Sequence, residues 1–387
     1  MICNKDKCTG CYACYNACPK ECIMMQEDDN GHIYPKVRKE NCINCRLCYS
    51  VCQSLSNVKF NEPKKAYACW ALNNLERETS TSGGAASVFS RNVLKKNNGI
   101  VFGAAVINKD VQHIRVEDQG DLVKLKGSKY VQSKIGNTYK QAKMDLDNNK
   151  EVLFIGTPCQ IAGLKKYLKK VYSNLLTIDI ICHGVPSYKM LSDYIKSNGD
   201  VNFDNIIFRD KDGFNFKLLD NNKVVFSETM KESLYYRGFM EALFYRENCY
   251  ECKYATRKRV SDITIGDFWG IGEENEFLKS TKGGVSVLLP CTEKGLDFIY
   301  KCQDDMFLEE RSIDEAIKGN DQLRHSSIKN KNYNKFKELY NIGGFNYAAL
   351  KCMRKEIFLG KLKEILYKNE FTHNLARGIK KIVIKNN

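Results

Sequence analysis

Twelve cysteines in this chain stand at spacings that could do chemistry, and eight of them form two copies of one pattern. Cys8, Cys11, Cys14 and Cys18 read Cys-x2-Cys-x2-Cys-x3-Cys-Pro, and Cys42, Cys45, Cys48 and Cys52 repeat the spacing 34 residues later. Three thiolates on one tight loop reach three corners of an iron–sulfur cubane, while the fourth cysteine, past the turn, reaches the neighbouring cluster. This exchange assigns Cys8, Cys11, Cys14 and Cys52 to one 4Fe–4S cluster and Cys42, Cys45, Cys48 and Cys18 to a second. Two tetrathiolate zinc sites would not require both runs to share the cubane spacing. Gly10 lets the backbone approach the inorganic sulfides closely. The second run departs in one place: Gln53 follows Cys52, where Pro19 follows Cys18. Cys3 and Cys22 fall outside both runs and are expected to be packing residues.

Four further cysteines stand apart. Cys159 lies in Gly-Thr-Pro-Cys-Gln, Cys182 in Ile-Cys-His-Gly, and Cys249 and Cys252 form a Cys-x2-Cys pair. Cys159 and Cys182 each follow an apolar run that reads as a parallel strand. In doubly wound sheets such carboxyl ends converge on the ligand crevice, so the two are expected to be neighbours. Cys159 also follows Pro158 near a helix start, where the backbone dipole favours a thiolate. The Cys-x2-Cys pair could complete a four-sulfur site for zinc or iron. Spacing alone leaves a third cluster, a zinc site and structural or redox-active thiols open. His183 titrates near neutrality when unperturbed, and is read as support for Cys182 rather than as an acid or base. No catalytic residue is assigned.

The elements that must position these residues follow from periodicity. Ala66–Leu72 reads as a strand, followed by a polar run and a helix from Ala85, with Ser80, Thr81 or Ser82 as its cap. Residues 99–107 read as a buried strand and 138–149 as a helix. Val152–Ile155, a Gly156-Thr157-Pro158 turn, a helix and a second apolar run through Ile178–Ile181 give strand, helix, strand at the spacing of a parallel crossover. Period-two patterns around Asp220–Asn222 predict a hairpin.

With 387 residues and about 150 per domain, two or three domains are expected. Hydrophobic residues at 43% and charged residues at 28% exclude both a disordered and a membrane-embedded chain. Ten of the 18 cysteines fall at or before Cys52, too uneven for a disulfide framework. No secretory leader is read in the opening residues, so a reducing, cytoplasmic location is expected. The net charge is +15, and from Lys351 onward ten basic residues face three acidic ones. That concentration points to a basic tail meeting an anionic membrane surface or a partner protein, or to a solvated helix face, and not to a nucleic-acid partner.

Several strings together resemble the coenzyme F420 hydrogenase/dehydrogenase beta-subunit family: TSTSGGAAS near Ser82, KGSKYVQSKIG around Lys129, VLFIGTPCQIAGLKKYL, DIICHGVPS, FRDKDGF and SDITIGDFWG. The resemblance covers nearly all of residues 1–290 and fades beyond. It implies an FAD-dependent iron–sulfur oxidoreductase with Cys159, Cys182, Cys249 and Cys252 holding a third 4Fe–4S cluster close to the flavin. On this reading Ser82, Gly83 and Gly84, before a helix, offer backbone N–H groups to the FAD pyrophosphate. Lys129 stabilises negative charge at the reduced flavin or pairs with a phosphate, and Tyr130 and Gln132 share a face bordering the cofactor. Asp267 with Phe268 and Trp269 is either near the flavin or a turn acid with an aromatic anchor, and Arg209 either binds an anionic substrate or forms a salt bridge.

The expected fold class is therefore a multidomain α+β and α/β chain. A small ferredoxin-like domain with two 4Fe–4S clusters spans 1–60, and an α/β flavin-binding domain spans 66–185 and 186–330. A basic helical tail occupies 331–387. The expected function is electron transfer between a two-electron, small-molecule redox substrate at FAD and one-electron carriers, a ferredoxin or another redox partner protein. F420 is one candidate substrate. The alternative is an electron-transfer subunit, or a ferredoxin-linked reductase acting on a different substrate in a biosynthetic pathway.

Overall fold

The two cysteine runs fold around a short antiparallel hairpin, β1 (Ile23–Glu27) and β2 (Ile33–Val37). The computed structural model describes residues 2–199, 201–210, 212–354 and 357. Each run turns through two residues in the left-handed region, Gly10 and Tyr12 (both φ 63) or Asn44 (φ 52) and Arg46 (φ 58), into a helix of one turn, Ala13–Ala17 or Leu47–Ser50. The repeat in sequence is thus a repeat in backbone geometry. The apolar core beneath is small, with Ile2, Cys18, Cys22 and Ile23 its buried members. So few large side chains leave much of this segment's folding free energy to whatever the thiols bind.

The rest of the described chain is mixed α/β, built on one eight-stranded sheet. Its strands in chain order are β3 (Ala66–Ala71), β4 (Gly99–Ile107), β5 (Asp110–Val116), β6 (Glu151–Gly156) and β7 (Leu175–Ile180). A three-stranded antiparallel sheet then intervenes, β8 (Asn205–Ile207), β9 (Asn215–Asp220) and β10 (Lys223–Thr229). The chain returns to the large sheet with β11 (Ile263–Asp267), β12 (Ser286–Pro290) and β13 (Met306–Arg311). The spatial order is β13-β3-β12-β11-β7-β6-β4-β5. β11, β7, β6 and β4 pair in parallel, while β13, β12 and β5 run against their neighbours. The crossover read from the sequence is β6, the helix Pro158–Leu168, then β7 beside β6.

Two local features differ from expectation. The helix Ala85–Leu94 is entered through Gly84 at φ 89, with no side chain as cap. The hydroxyls read as caps have other partners: Ser82 Oγ donates to the Val285 carbonyl, Thr81 Oγ1 accepts from Ser128 N, and Ser80 Oγ donates to the Glu76 carbonyl (2.7 Å). Of the segment 331–387, Tyr333–Cys352 forms a helix with a break at Gly344. It buries Phe336, Tyr340 and Phe345 against the aromatic core of the inserted sheet, where Tyr194, Phe216, Tyr235 and Phe244 meet. Beyond Arg354, and apart from Ile357, the basic stretch lies outside the described residues.

Candidate cluster sites and cofactor cavity

Cys8, Cys11, Cys14 and Cys52 line one small void, and Cys18, Cys42, Cys45 and Cys48 line another. Each void gathers three thiols of one run and the fourth of the other. Each also has a fifth thiol: Cys3 lines the first, and Cys22 lines the second with its sulfur 3.3 Å from that of Cys18. Cys3 and Cys22, read as packing residues, therefore stand against the two four-cysteine groups as well. The Cys3 thiol beside them lowers both Cys8 and Cys52, which favours the thiolate, the form that binds metal. Among the described residues no three His, Cys, Asp or Glu side chains converge as they would on a single ion.

The other four cysteines come from three places in the chain. Cys159 sits in the first turn of Pro158–Leu168, Cys182 follows β7, and Cys249 and Cys252 belong to the turn Glu247–Glu251 and its end. They are electrostatic neighbours: Cys159 feels Cys182 and Cys252, and Cys249 feels Cys252 and Cys159. Burial pushes Cys159, Cys182 and Cys249 up. The thiolate expected for Cys159 at a helix start is thus outweighed by desolvation, and a metal bound here would have to displace protons. Arg259, fully buried, pairs with Asp179 of β7 at 2.8 Å and donates to the Tyr254 carbonyl, also 2.8 Å. This fastens the segment after Cys252 to the strand that leads to Cys182.

Cys159 and Cys182 both face a cavity of about 320 Å³ at the carboxyl ends of the parallel strands. Ser82, Gly84, Lys129, Tyr130, Gln132, His183, Asp267 and Trp269 line the same cavity. Gly83 does not. A Cβ there would lie 2.3 Å from the Cys69 carbonyl oxygen, so Gly83 serves the close approach of this loop to β3. Ala85, Ala86 and Ser87, the uncapped first turn of the helix, also face the cavity. Lys129 donates its ammonium to the Leu125 and Lys126 carbonyls (3.1 and 2.7 Å), and burial lowers it to about 7. Tyr130 packs among Phe208, Tyr236 and Phe239. Gln132 lines the cavity, yet its amide is turned to the N-terminal segment, donating to the Thr9 carbonyl (3.0 Å) and accepting from Arg246 (3.3 Å). Asp267 pairs with Arg209 at 2.7 Å, and Arg209 lies over the Phe214 and Trp269 rings. Phe268 is buried in the core. Burial lowers His183, which keeps its imidazole neutral.

Sequence reasoning missed residues that join these parts. His113 lines the cavity with both ring nitrogens engaged, by the Ile155 carbonyl (2.9 Å) and Ser133 Oγ (3.0 Å). Gln53 donates to Thr9 Oγ1 (2.7 Å) and accepts from the Tyr254 hydroxyl, while its carbonyl accepts from Lys253. Arg246 sits three residues before Cys249, and a basic residue beside a cysteine pair was the available signal. For Arg259, one of three basic residues in Arg257–Arg259, no pattern separates it from its neighbours.

Residues 149–316 match the family described as the C terminus of the coenzyme F420 hydrogenase/dehydrogenase beta subunit, and residues 7–55 match the 4Fe-4S dicluster domain. The chain is an iron–sulfur electron-transfer protein related to these beta subunits. No curated protein matches it. Among solved structures, a chain of the xenon-derivatized F420-reducing NiFe hydrogenase complex from Methanosarcina barkeri is 14% identical. That alignment covers 74% of this chain and 97% of the other, with a TM-score of 0.47. The matched beta-subunit segment contains Cys159, Cys182, Cys249 and Cys252, whereas Ser82, Gly84, Lys129, Tyr130 and Gln132 lie outside both matched segments. Among the described residues no helix is long and apolar enough to cross a membrane.

Proposed function

We propose that this beta-subunit relative is an FAD-binding oxidoreductase subunit that moves electrons between a small-molecule substrate at its cavity and one-electron carriers at its surface. The observation that carries this reading is the shared wall of the cavity. It joins an uncapped helix N-terminus behind a glycine-bearing loop to two thiols of the four-cysteine group. The residues fit the cofactor: free N–H groups and a helix dipole suit a diphosphate, and the ammonium of Lys129, with no acid beside it among the described residues, suits added negative charge. FAD supplies two-electron hydride chemistry that can be divided into single electrons.

From the cavity, Cys159 and Cys182 lead to Cys249 and Cys252, read as the remaining ligands of a third 4Fe–4S cluster. The helix begun by Cys159 touches Cys11 at Gly163, so the next station is the Cys8–Cys52 group. The last is the group that includes Cys45, which is exposed beside Ile43 at 58% exposure. That exposed end suits a ferredoxin or a redox partner subunit.

Anaerobic purification with flavin release and iron analysis tests this. One FAD and about twelve iron atoms per chain are expected, about eight of them from the two N-terminal clusters. No flavin together with four or fewer iron atoms would overturn it. A reduction screen with F420, NAD(P)H and reduced ferredoxin then identifies the partners.

A further inference from the structure

Among the described residues two arginines are fully buried, and they are not alike. Arg259 has the Asp179 carboxylate at 2.8 Å. Arg246, 1% exposed, has no carboxylate partner among the described residues. Its Nε donates to the Cys8 carbonyl (2.7 Å), and its terminal nitrogens donate to the Ile33 carbonyl (2.9 Å) and to Gln132 Oε1 (3.3 Å). Its guanidinium carbon lies 4.2 Å from the Tyr34 ring centroid. Every one of these acceptors is neutral. Asp28 and Glu247, on flanking segments, are engaged elsewhere, with Lys5 at 2.8 Å and with Lys329.

An arginine cannot shed its proton, and a buried charge is costly unless an opposite charge answers it. The position of Arg246 indicates where that charge belongs. The guanidinium grips the backbone of Cys8, while its own carbonyl accepts from the N–H of Cys249 (2.9 Å). It therefore stands between the first thiol of one four-cysteine group and the third of another. Four thiolates around a 4Fe–4S core give a net charge of about −2 when oxidised and about −3 when reduced, and net charge is one of the determinants of the potential.

We propose that Arg246 is the internal counter-charge of the cluster held by Cys8, Cys11, Cys14 and Cys52, raising its reduction potential by stabilising its more negative, reduced form. The electron added on reduction comes from the cavity side or from the external carrier, and no bond is made or broken. The group of Cys18, Cys42, Cys45 and Cys48 has no such residue among those described; Arg46, which lines its void, is exposed and screened by water. One interior cluster easier to reduce than its surface neighbour would hold electrons near the cavity until an external carrier docks. Arg246 acts through the cluster as a positioning and tuning residue.

This inference rests on the cluster reading of the N-terminal cysteines, which the iron content of the unmodified protein tests separately. The inference itself is tested by redox titration of the full, anaerobically loaded chain, followed by electron paramagnetic resonance. Arg246→Gln is expected to lower the equilibrium constant for reduction of one N-terminal cluster at least tenfold, about 59 mV for a one-electron couple, and to leave the other unmoved. Arg246→Lys, which keeps the charge and loses the fork, is expected to recover more than half of that shift. Unchanged potentials in an Arg246→Gln protein of full iron content would overturn the proposal. So would equal shifts in the Gln and Lys variants, since the effect would then belong to the hydrogen bonds. Should Arg246→Gln fail to hold its iron, Arg246→Lys decides: retention of the cluster supports a charge requirement, and its loss overturns it.

Discussion

Gly163 and Cys11 are in direct contact: a Cβ on Gly163 would lie 3.0 Å from both the Cβ and the Sγ of Cys11. Gly163 is one helical turn beyond Cys159, so the two face the same side and are separated by about 6 Å along the axis. A cysteine of the N-terminal run is thereby held against the helix that carries a cavity thiol. Gly163→Val must push Cys11 or the helix aside. Such overpacking costs about 1–3 kcal/mol, to be read as a lowered denaturation midpoint. It should also slow the arrival of electrons at the N-terminal clusters in rapid mixing, because the gap they cross widens. A variant of wild-type stability and transfer rate would show that this contact is not the bridge.

Cys249→Ser tests whether the four dispersed thiols act as one site. The serine fits the space of Cys249 but offers a hard oxygen where iron–sulfur chemistry prefers thiolate. On the proposed reading the variant loses about four iron atoms per chain while keeping about eight, and added FAD should still be reduced without passing electrons on. Full iron content would refute the shared site.

Much of this arrangement is legible in the residues because its signals are local. The crossover from β6 to β7 is written as two apolar runs with a Gly-Thr-Pro turn between them, and the cysteines just past those strands had to come together at the sheet's carboxyl edge. What escapes a linear reading is set by tertiary partners. Ser82 and Thr81 look like helix caps, but their hydroxyls are taken by Val285 and Ser128 from distant segments. The aromatic residues Tyr333, Phe336 and Tyr340 stand at helical spacing and mark a buried face, a signal masked by the basic residues that follow. Arg246 has no periodic signature at all. Its role depends on Cys8, which lies 238 positions away.

Lys129→Met tests the cofactor role proposed for the lysine against a structural one. Burial lowers Lys129 to about 7, so between pH 7 and its ordinary value near 10.5 the unfolded chain binds the proton more readily than the folded one. The resulting penalty is fully present below pH 7 and is relieved as pH rises. Removing the amine should therefore leave the flavin-free protein no less stable at pH 7. FAD affinity should fall at least tenfold, about 1.4 kcal/mol, measured by fluorescence quenching on titration. Unchanged affinity would take Lys129 out of the cofactor site.

His113 predicts an acid limit on stability. Burial lowers it to about 4 from an ordinary value near 6.5, with Ser133 and Ile155 fitted to the neutral ring. Its contribution is intact above pH 6.5 and is lost as pH falls toward 4, because the unfolded state binds the proton first. The slope reaches at most about 1.4 kcal/mol per pH unit. His32, lowered to about 3 mainly by burial, adds a second proton in the same direction. Urea midpoints between pH 7 and pH 5 should fall less steeply in His113→Gln than in the unmodified chain. Parallel curves would mean that His113 is not buried neutral.

Gln53 is where the second cysteine run lacks its proline, and the structure gives the residue a different task. Its side chain joins Thr9 of the first run to Tyr254, two residues beyond Cys252, and its carbonyl accepts from Lys253. One side chain thus ties the N-terminal segment to the Cys249–Cys252 turn. Gln53→Pro would restore the cluster motif while leaving the buried Tyr254 hydroxyl and Thr9 without their partner. Each such unsatisfied group costs about 1–3 kcal/mol. The substitution that looks conservative by motif is therefore expected to destabilise the loaded protein by at least that amount and to loosen the seam between the N-terminal cysteine runs and the Cys249–Cys252 turn. Chelator-induced iron loss would then begin earlier than in the unmodified chain. A Gln53→Pro protein that unfolds and releases iron at wild-type rates would return Gln53 to the status of a tolerated departure.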